Sequence, residues 1–339
     1  MRILVTGVAG FVGSSISRSL LACDASIQIV GIDNLSYGYM ERISDIKDNF
    51  QFIKLEVKDL PLRADLGRFD LIIHCAAIAP LPDNQANLYR SLEQNVALCG
   101  AVGDFCLKTG SENIIFFSSG AVYEMQKSGF SSEQSEVCPK LMYPMSKFLA
   151  ENFFASFSEV YGIKTVALRL FNLYGPQQDY FRKHPPLIGY LIKSALTNAP
   201  ITIYASEKAR RDYIYIDDLV NMIQLIYSKL PVIEKGKFIL VNVGSGVTYS
   251  VTNIISILED VMGTKINYHR GIAATFWDKY PELFNSVIPL PLNYVANEVE
   301  KNTAADITMA AEKFLWQPQV NLQDGLFNCV EFARRVFNQ

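Results

Sequence analysis

Two side chains that can move a proton lie four residues apart in the segment from Tyr143 to Lys147. On a helix, residues at this spacing share one face, and Pro144 between them suits a first helical turn. A neighbouring ammonium group lowers the pKa of a phenol from its ordinary value of about 10. Tyr143 could therefore accept a proton from a substrate hydroxyl while hydride leaves the same carbon. Ser119, at the end of a predicted strand, is placed to hydrogen-bond the reacting oxygen.

The Tyr/Lys spacing alone is not specific, because two other pairs in the chain share it. Tyr123 and Lys127 run into a Ser-Gly sequence that disfavours a helix, and Tyr204 and Lys208 run into a charged loop. Only Tyr143 begins a long predicted helix. We therefore select Tyr143, together with Lys147, as the catalytic pair.

A glycine-rich turn near the N-terminus predicts a dinucleotide site. Gly7, Gly10 and Gly13 separate a predicted strand from a helix, and Phe11 and Val12 begin that helix. Such glycines permit a tight turn, a close approach of backbone to a diphosphate, and tight packing of helix on strand. The N–H groups and partial positive charge of the helix N-terminus favour an anion there.

An acidic residue follows this turn at the distance that a dinucleotide site requires. Asp33 lies twenty residues beyond Gly13, at the end of the second predicted strand. A carboxylate at this place accepts hydrogen bonds from the adenosine ribose and repels a 2′-phosphate. The predicted cofactor is therefore NAD and not NADP.

The first half of the chain alternates short β-branched or aromatic runs with longer helical patterns. This alternation predicts an α/β fold with a doubly wound parallel sheet, of the Rossmann type, covered by helices on both faces. The predicted strands are 3–6, 27–32, 50–54, 70–74, 113–118 and 164–171, and the predicted helices are 12–21, 86–107 and 144–161.

After Asn172 the rhythm changes, and a smaller mixed C-terminal substrate lobe is predicted. Residues 214–216 and 238–243 are expected to return to the sheet, with a helix from about Asp217 between them. The predicted NAD-binding domain is residues 1–172 plus 212–246, and the predicted substrate lobe is residues 173–211 plus 247–339. Trp277 and Trp316 are interpreted as packing residues.

Composition excludes several classes of protein. The 339 residues carry 31 Lys and Arg against 34 Asp and Glu, a net charge of -3, so no electrostatic footprint for nucleic acid or an acidic membrane surface is present. No apolar run approaches the roughly 20 residues that cross a bilayer, and the N-terminus lacks the pattern of a signal peptide. The six cysteines form no Cys-x-x-Cys pair and the three histidines are scattered. We expect a cytoplasmic protein that has no dedicated metal site.

From Met1 to about Gly246 the chain resembles the extended short-chain dehydrogenase/reductase family, particularly its nucleotide-sugar epimerases. The glycine turn and the Tyr143/Lys147 pair carry part of this resemblance. The other matching segments are Asp33-Asn34-Leu35, His74-Cys75-Ala76-Ala77, Asn95-Val96, Ser118-Ser119-Gly120-Ala121-Val122-Tyr123, Arg169-Leu170-Phe171-Asn172, Tyr174-Gly175-Pro176 and Arg210-Arg211-Asp212-Tyr213-Ile214.

The resemblance implies an NAD-dependent epimerase acting on a nucleotide-diphosphate hexose, most simply a UDP-hexose inverted at C4 through a 4-keto intermediate. Tyr143 would act as the base, Lys147 would hold the nicotinamide ribose, and Ser119 would hold the reacting oxygen. Asn172 and Arg211 would bind the diphosphate. Further cofactor contacts are implied at Asn34, Glu56, Val57, Ala76, Ala77 and Asn95, beside Asp33 and the glycine turn. A homodimer through a four-helix bundle is also implied.

Departures from the family pattern narrow the activity. Gly120 and Ala121 stand where sugar dehydratases of this family carry an Asp-Glu acid pair, and the glutamate of the related decarboxylases is missing too. Glu56 replaces the usual adenine-contacting aspartate, and Lys301 is a candidate for the missing second phosphate-binding arginine. Two alternatives stay open. A keto-sugar reductase would turn over NADPH, and Asp33 disfavours that cofactor. A non-catalytic NAD sensor would have no need of the catalytic residues.

Overall fold

A seven-stranded parallel sheet forms the centre of the molecule in a computed structural model that describes residues 1–124, 129–182 and 185–337. Its strand order is β11-β7-β5-β4-β1-β2-β3. The strands of the described residues are β1 (Arg2–Thr6), β2 (Gln28–Asp33), β3 (Phe50–Lys54), β4 (Leu71–His74), β5 (Asn113–Ser119), β6 (Phe130–Ser131), β7 (Lys164–Leu170), β8 (Asn172–Tyr174), β9 (Ile201–Ile203), β10 (Arg210–Tyr215), β11 (Phe238–Val243), β12 (Thr248–Tyr249), β13 (Tyr268–Arg270) and β14 (Asn302–Ala305).

Helices cover both faces of this sheet, so the apolar strand residues are buried between two layers. Ile3, Leu4 and Val5 of β1 have no exposed surface, as expected for a parallel strand between helices. The helices are α1 (Phe11–Cys23), α2 (Leu81–Ala86), α3 (Leu88–Leu92), α4 (Leu98–Thr109), α5 (Met142–Tyr161), α6 (Leu187–Leu196), α7 (Ile216–Lys229), α8 (Val251–Met262), α9 (Leu292–Val299), α10 (Thr308–Phe314) and α11 (Leu322–Phe337). The predicted doubly wound fold is confirmed.

The strand order reverses between β1 and β4, which are neighbours in the sheet. The chain runs outward from β1 to β3 on one side and from β4 to β11 on the other. In open α/β sheets the crevice at such a reversal, at the carboxyl ends of the strands, is where ligands bind. This topology places the ends of β1, β4 and β5 around one cleft.

The single helix predicted around residues 86–107 is confirmed, although its bounds are wrong by two residues, because helical residues run without a break from Leu88 to Thr109. Asn87 precedes this helix and caps α3 by accepting a hydrogen bond from the N–H of Arg90. Residues Glu93–Ala97 then form a π-helical turn before α4 begins. The side chain of Asn87 competes for backbone groups, as asparagine commonly does at helix starts.

The expected return of residues 214–216 to the main sheet is also wrong. Only β11 returns to it, next to β7. Strand β10 belongs to a second sheet, of order β12-β10-β14-β6, in which β8 also pairs with β10. Asp212 holds it there, because its buried carboxylate accepts hydrogen bonds from the N–H groups of Ser245, Gly246 and Ala305. A local strand pattern does not contain these distant partners.

The second sheet, a short β13–β9 pair, and the helices from α8 onward form the C-terminal part of the structure. Trp277 and Trp316 are buried and donate their indole N–H groups to backbone carbonyls, which confirms the packing interpretation. The division into two interleaved lobes stays a prediction. Strand β6 departs from it, because Phe130 and Ser131 lie in the predicted NAD-binding range but join the second sheet.

A search for membrane-spanning helices over the described residues finds none that is long and apolar enough.

Candidate active site

A cleft of about 1250 Å³ opens at the carboxyl ends of the main-sheet strands and extends to the second sheet. Every predicted site residue except Asn95 lines it. From the cofactor prediction these are Gly7, Gly10, Phe11, Val12, Gly13, Asp33, Asn34, Glu56, Val57, Ala76 and Ala77, and from the catalytic and substrate predictions Ser119, Tyr143, Lys147, Asn172, Arg211 and Lys301.

The glycine turn has no room for side chains, and their absence lets a dinucleotide approach its backbone. Gly7 has a φ of 68°, which L side chains rarely adopt, and a Cβ on Gly13 would lie 2.4 Å from the Gly7 carbonyl oxygen. Gly10 precedes α1, so the first N–H groups of that helix face the cleft without intrahelical acceptors. This is the cradle in which a diphosphate is bound.

We predict that Gly13→Ala lowers the free energy of unfolding by about 1–3 kcal/mol and weakens NAD binding, because the new methyl group must displace backbone of the turn. Gly100→Ala is the matched control, since a Cβ there meets nothing within 4 Å. Alanine in the interior of α4 should stabilise this variant by up to about 1 kcal/mol. Thermal unfolding with and without NAD measures both effects. Equal stability losses in the two variants would contradict the account of the turn.

Asp33 closes the cofactor end of the cleft. Its buried carboxylate accepts hydrogen bonds from the N–H groups of Ala9 (3.0 Å) and Leu35 (2.7 Å). Burial raises the pKa of Asp33, and these two hydrogen bonds together with the nearby charge of Arg42 oppose the shift. Each carboxylate oxygen keeps acceptor capacity for a ribose hydroxyl. Beside it Asn34 donates to Glu56 at 3.1 Å, so the longer Glu56 side chain does reach this end of the cleft.

Asn95 does not line the cleft. Its amide nitrogen donates to the carbonyl of Ile78, to Asn84 and to Ser146, and its oxygen accepts the N–H of Ile78 at 2.8 Å. The contact predicted between Asn95 and the cofactor stays a prediction. Asn95 connects the loop after β4, which forms a wall of the cleft, to the helix that carries Tyr143.

The structure brings the three predicted catalytic residues together. Strand β5 ends at Ser119, and α5 begins at Met142, so Tyr143 and Lys147 lie on its first turns. The Ser119 hydroxyl lies near the Tyr143 phenol and favours its charged form. Lys147 is only 4% exposed, and its Nζ donates to the carbonyl of Phe117 at 2.9 Å. The lysine thus ties the catalytic helix to the strand that carries Ser119.

The electrostatics of the pair differ from the prediction. Burial raises the pKa of Tyr143, while the nearby Ser119 hydroxyl and the charge of Arg182 oppose this without cancelling it. Burial lowers the pKa of Lys147 to about 8. The expected lowering of the Tyr143 pKa by Lys147 is therefore not found. The Lys147 ammonium is directed at a backbone carbonyl, and the loss of water around the phenol outweighs the opposing contributions.

The tyrosines of the two competing Tyr/Lys pairs lie in surroundings that differ from those of Tyr143, although Tyr204 also lines the cleft. Tyr123 is buried, donates to Asn242 and accepts from Arg169, and burial raises its pKa to about 12. Lys127 lies outside the described residues. Tyr204 follows β9 in a non-helical segment, and Lys208 is exposed.

The predicted substrate residues meet at the opposite end of the cleft. Arg211 donates to the backbone carbonyls of Lys301 and Glu298, and Lys301 forms an ion pair with Glu298 at 3.2 Å. Asn172 is exposed and donates to the carbonyl of Asp212 at 2.7 Å. Two cations and an amide therefore lie at the junction of the second sheet with the cleft.

Sequence reasoning missed an ion-pair cluster that joins the two sides of the cleft. Asp179, in the loop after β8, pairs with Arg42 and with Arg182 at 3.2 Å. Nη1 of Arg42 is buried and has no hydrogen-bond partner among the described residues, which suits an anionic ligand. From sequence alone, Arg182, Lys183 and His184 favour a solvated loop over contacts to an acidic sugar or phosphate, and Lys183 and His184 lie outside the described residues. No local pattern marks Arg42, because its partner is 137 residues away.

Within the described residues, no group of three or more His, Cys, Asp or Glu side chains could hold a metal ion.

Comparisons with known proteins agree with this geometry. The model of the NAD dependent epimerase/dehydratase family matches residues 3–244, and the chain belongs to that family. A relative from Bacillus subtilis (strain 168), named as an uncharacterized UDP-glucose epimerase, is 29% identical, with 99% of each chain covered.

Two solved structures share the fold over their whole lengths. The UDP-glucose 4-epimerase of Thermotoga maritima, solved with UDP-glucose, is 26% identical, with a TM-score of 0.84 and coverage of 99% of this chain and 100% of that one. The UDP-glucuronic acid 4-epimerase of Bacillus cereus, solved with UDP-glucuronic acid and NAD, is also 26% identical, with a TM-score of 0.81 and the same coverage. The predicted enzyme class, an NAD-dependent epimerase, and its cofactor are confirmed.

Proposed function

We propose that this enzyme inverts one sugar hydroxyl of a nucleotide-diphosphate hexose, at C4 and with UDP-hexose as the favoured substrate, through a transient 4-keto sugar. The observation that carries the proposal is that Ser119, Tyr143 and Lys147 share one cleft with the glycine turn and Asp33. The 4-epimerases of Thermotoga maritima and Bacillus cereus, with their UDP-sugar ligands, support the substrate class.

The mechanism assigns one task to each of these side chains. Tyr143 accepts the proton of the C4 hydroxyl and later returns it to the keto oxygen. Ser119, which lines the same cleft as Tyr143, holds the reacting oxygen beside the phenol. Lys147 holds the nicotinamide ribose and keeps α5 against β5. When bound, NAD supplies the oxidised ring that takes up hydride from C4 and gives it back.

Inversion requires that the keto sugar present its other face before hydride returns. The diphosphate remains fixed meanwhile by Asn172, Arg211 and Lys301, because guanidinium and ammonium groups bind phosphate oxygens through charge-assisted hydrogen bonds. Arg42, with its unpaired Nη1, is a further candidate for the dinucleotide diphosphate. No external reductant is consumed in this cycle.

The turn after Ser119 favours epimerisation over elimination of water. A Cβ at Gly120 would lie 3.1 Å from the ring of Phe171, so this position has little room for a side chain. Ala121, the next residue, carries no acid. Elimination needs an acid and a base beside the keto sugar, and these two positions supply neither.

The experiment uses the purified protein with no added cofactor. Co-purified NAD is measured first, and UDP-, dTDP-, GDP- and CDP-sugars are then supplied while products are followed by NMR. An epimer formed without added NAD supports the proposal. Stoichiometric loss of added NADPH would identify a keto-sugar reductase instead, and no reaction with any sugar would leave a non-catalytic NAD-binding protein.

We further propose a homodimer in which α4 and α5 of each copy form a four-helix bundle. Apolar side chains on or beside these helices are exposed to solvent, namely Leu88, Tyr89, Leu92, Leu107, Leu149, Val160 and Tyr161. The mass in solution tests this, and a monomer at micromolar concentration would contradict it.

The six unpaired cysteines support a reducing compartment such as the cytoplasm.

A further inference from the structure

A buried ion pair lies directly behind the catalytic residues. Glu151 follows Lys147 by one turn on the same face of α5, and Arg169 lies on β7. The guanidinium grips the carboxylate with two hydrogen bonds, Nε to Oε1 at 2.8 Å and Nη2 to Oε2 at 2.7 Å. Both residues are only 3% exposed. The mechanism proposed above uses neither of them.

This pair fastens the chain on both sides of Ser119. Ser118, the preceding residue, donates its hydroxyl to Oε1 of Glu151. Tyr123, at the end of the turn that follows Ser119, accepts a hydrogen bond from Nη1 of Arg169 at 2.7 Å. The strand end and the turn are therefore connected to α5 through one carboxylate and one guanidinium.

The network continues into the second sheet. The Tyr123 hydroxyl donates to Asn242 on β11 at 2.9 Å, and the amide of Asn242 donates to the carbonyl of Ser131 on β6 at 2.7 Å. An unbroken series of hydrogen bonds thus runs from the catalytic helix to the sheet that carries Arg211. A change in this series would alter the geometry of both ends of the cleft.

Stability alone is a weak reason for this arrangement. Removing two charges from water costs about as much as their attraction returns, and apolar replacement of such pairs is often neutral or stabilising. The pair can instead fix the orientation of neighbouring groups, because a bidentate Arg–carboxylate contact has one preferred geometry. Ser119 and Lys147 are the catalytic residues that lie beside it.

We infer that Glu151 and Arg169 are positioning residues, which hold the Ser119 turn and Lys147 at the separation that the reaction requires. The loss of kcat that we expect from breaking the pair rests on the proposed function. The change of structure that we expect does not. The Glu151 carboxylate also favours the charged form of Lys147, because it lies one turn away on the same helix face.

The test separates positioning from stability by replacing the pair in two ways. Glu151→Gln breaks it with little change of volume and is expected to lower both the Tm and kcat. The double variant Glu151→Leu with Arg169→Met replaces it by apolar groups and is expected to recover most of the Tm. In this double variant we expect kcat to stay at least tenfold below the parent protein, with the KM for the nucleotide sugar within about twofold.

Crystal structures of both variants supply a second measurement that needs no activity. We expect the 2.9 Å contact between Lys147 Nζ and the Phe117 carbonyl to be lost and the Ser119 turn to shift. Glu159→Gln, an exposed site two turns further along α5, controls for the same chemical change and should alter neither kcat nor Tm.

Parental kcat in the double variant would overturn the inference. Crystal structures in which Ser119 and Lys147 have not moved in either variant would overturn it as well. Failure of the double variant to fold leaves the decision to Glu151→Gln, whose crystal structure must show the displaced turn. If the parent protein converts no nucleotide sugar, the proposed function fails, and the crystal structures alone decide the positioning role.

Discussion

Tyr143→Phe is expected to lower turnover by a factor of about 10²–10⁴ while NAD remains bound, because only the proton-transferring oxygen is removed. The ring keeps its place at the start of α5, and no residue of the glycine turn is altered. Steady-state kinetics and the NAD content of the purified variant measure the two effects separately.

Tyr161→Phe provides the matched control for this substitution. Tyr161 ends the same helix and is exposed, so loss of its hydroxyl should leave turnover and NAD content unchanged. Parental turnover in Tyr143→Phe would remove this residue from the mechanism. Loss of NAD from Tyr143→Phe would show that the phenol acts mainly in binding the cofactor.

Lys147→Met is expected to lower kcat/KM by a similar factor and, unlike Tyr143→Phe, to reduce the NAD content. The substitution removes the ammonium and leaves the Phe117 carbonyl without its side-chain donor in a buried place. Lys147→Arg should not restore activity, because the planar guanidinium does not fit a pocket built for a compact ammonium. Lys108→Met is the control, since Lys108 also donates to a backbone carbonyl, that of Pro61, but at an exposed site.

The pH dependence of NAD binding tests the same residue. Burial lowers the pKa of Lys147 to about 8, so the ammonium is present below this pH and is lost as pH rises through it. NAD affinity of the parent protein should therefore fall as pH rises through about 8, and the affinity of Lys147→Met should be flat over that interval. Parallel pH profiles for the two proteins would contradict a charged role for Lys147.

Much of the fold could be predicted because its signals are local. Buried parallel strands are continuous apolar runs, and the glycine turn with Asp33 twenty residues later reflects one βαβ unit. The Tyr143/Lys147 pair became specific only when combined with that turn. These features depend on neighbours close in sequence, which a single sequence does contain.

The errors arise where distant segments decide the outcome. Strand β10 has an ordinary strand pattern, yet its partners β8, β12 and β14 assign it to the second sheet. The hydrogen bonds of Asn95 to Ile78 and Ser146, which no expectation from sequence included, are visible only in three dimensions. Arg42 and Asp179 likewise meet across the cleft. Glu151 could have been found from sequence, because it continues the four-residue spacing of Tyr143 and Lys147 on one face of the helix.

The pKa of Tyr143 illustrates a different limit. Spacing predicts that Tyr143 and Lys147 share a helix face, and they do, but it does not say where the ammonium is directed. The carbonyl of Phe117 takes the Lys147 hydrogen bond, and burial dominates the pKa of the phenol. In the complete enzyme, the positive charge of an oxidised nicotinamide ring would favour the phenolate.

The most direct test of the account follows the hydrogen on the inverted carbon. The nucleotide sugar that the enzyme converts is prepared with deuterium at C4 and incubated in ordinary water without added cofactor. The account predicts an epimer that keeps its deuterium at C4, because the same hydride is removed and returned without exchange with water. Replacement of the deuterium by solvent hydrogen would contradict it, since that result requires exchange of the C4 hydrogen as a proton.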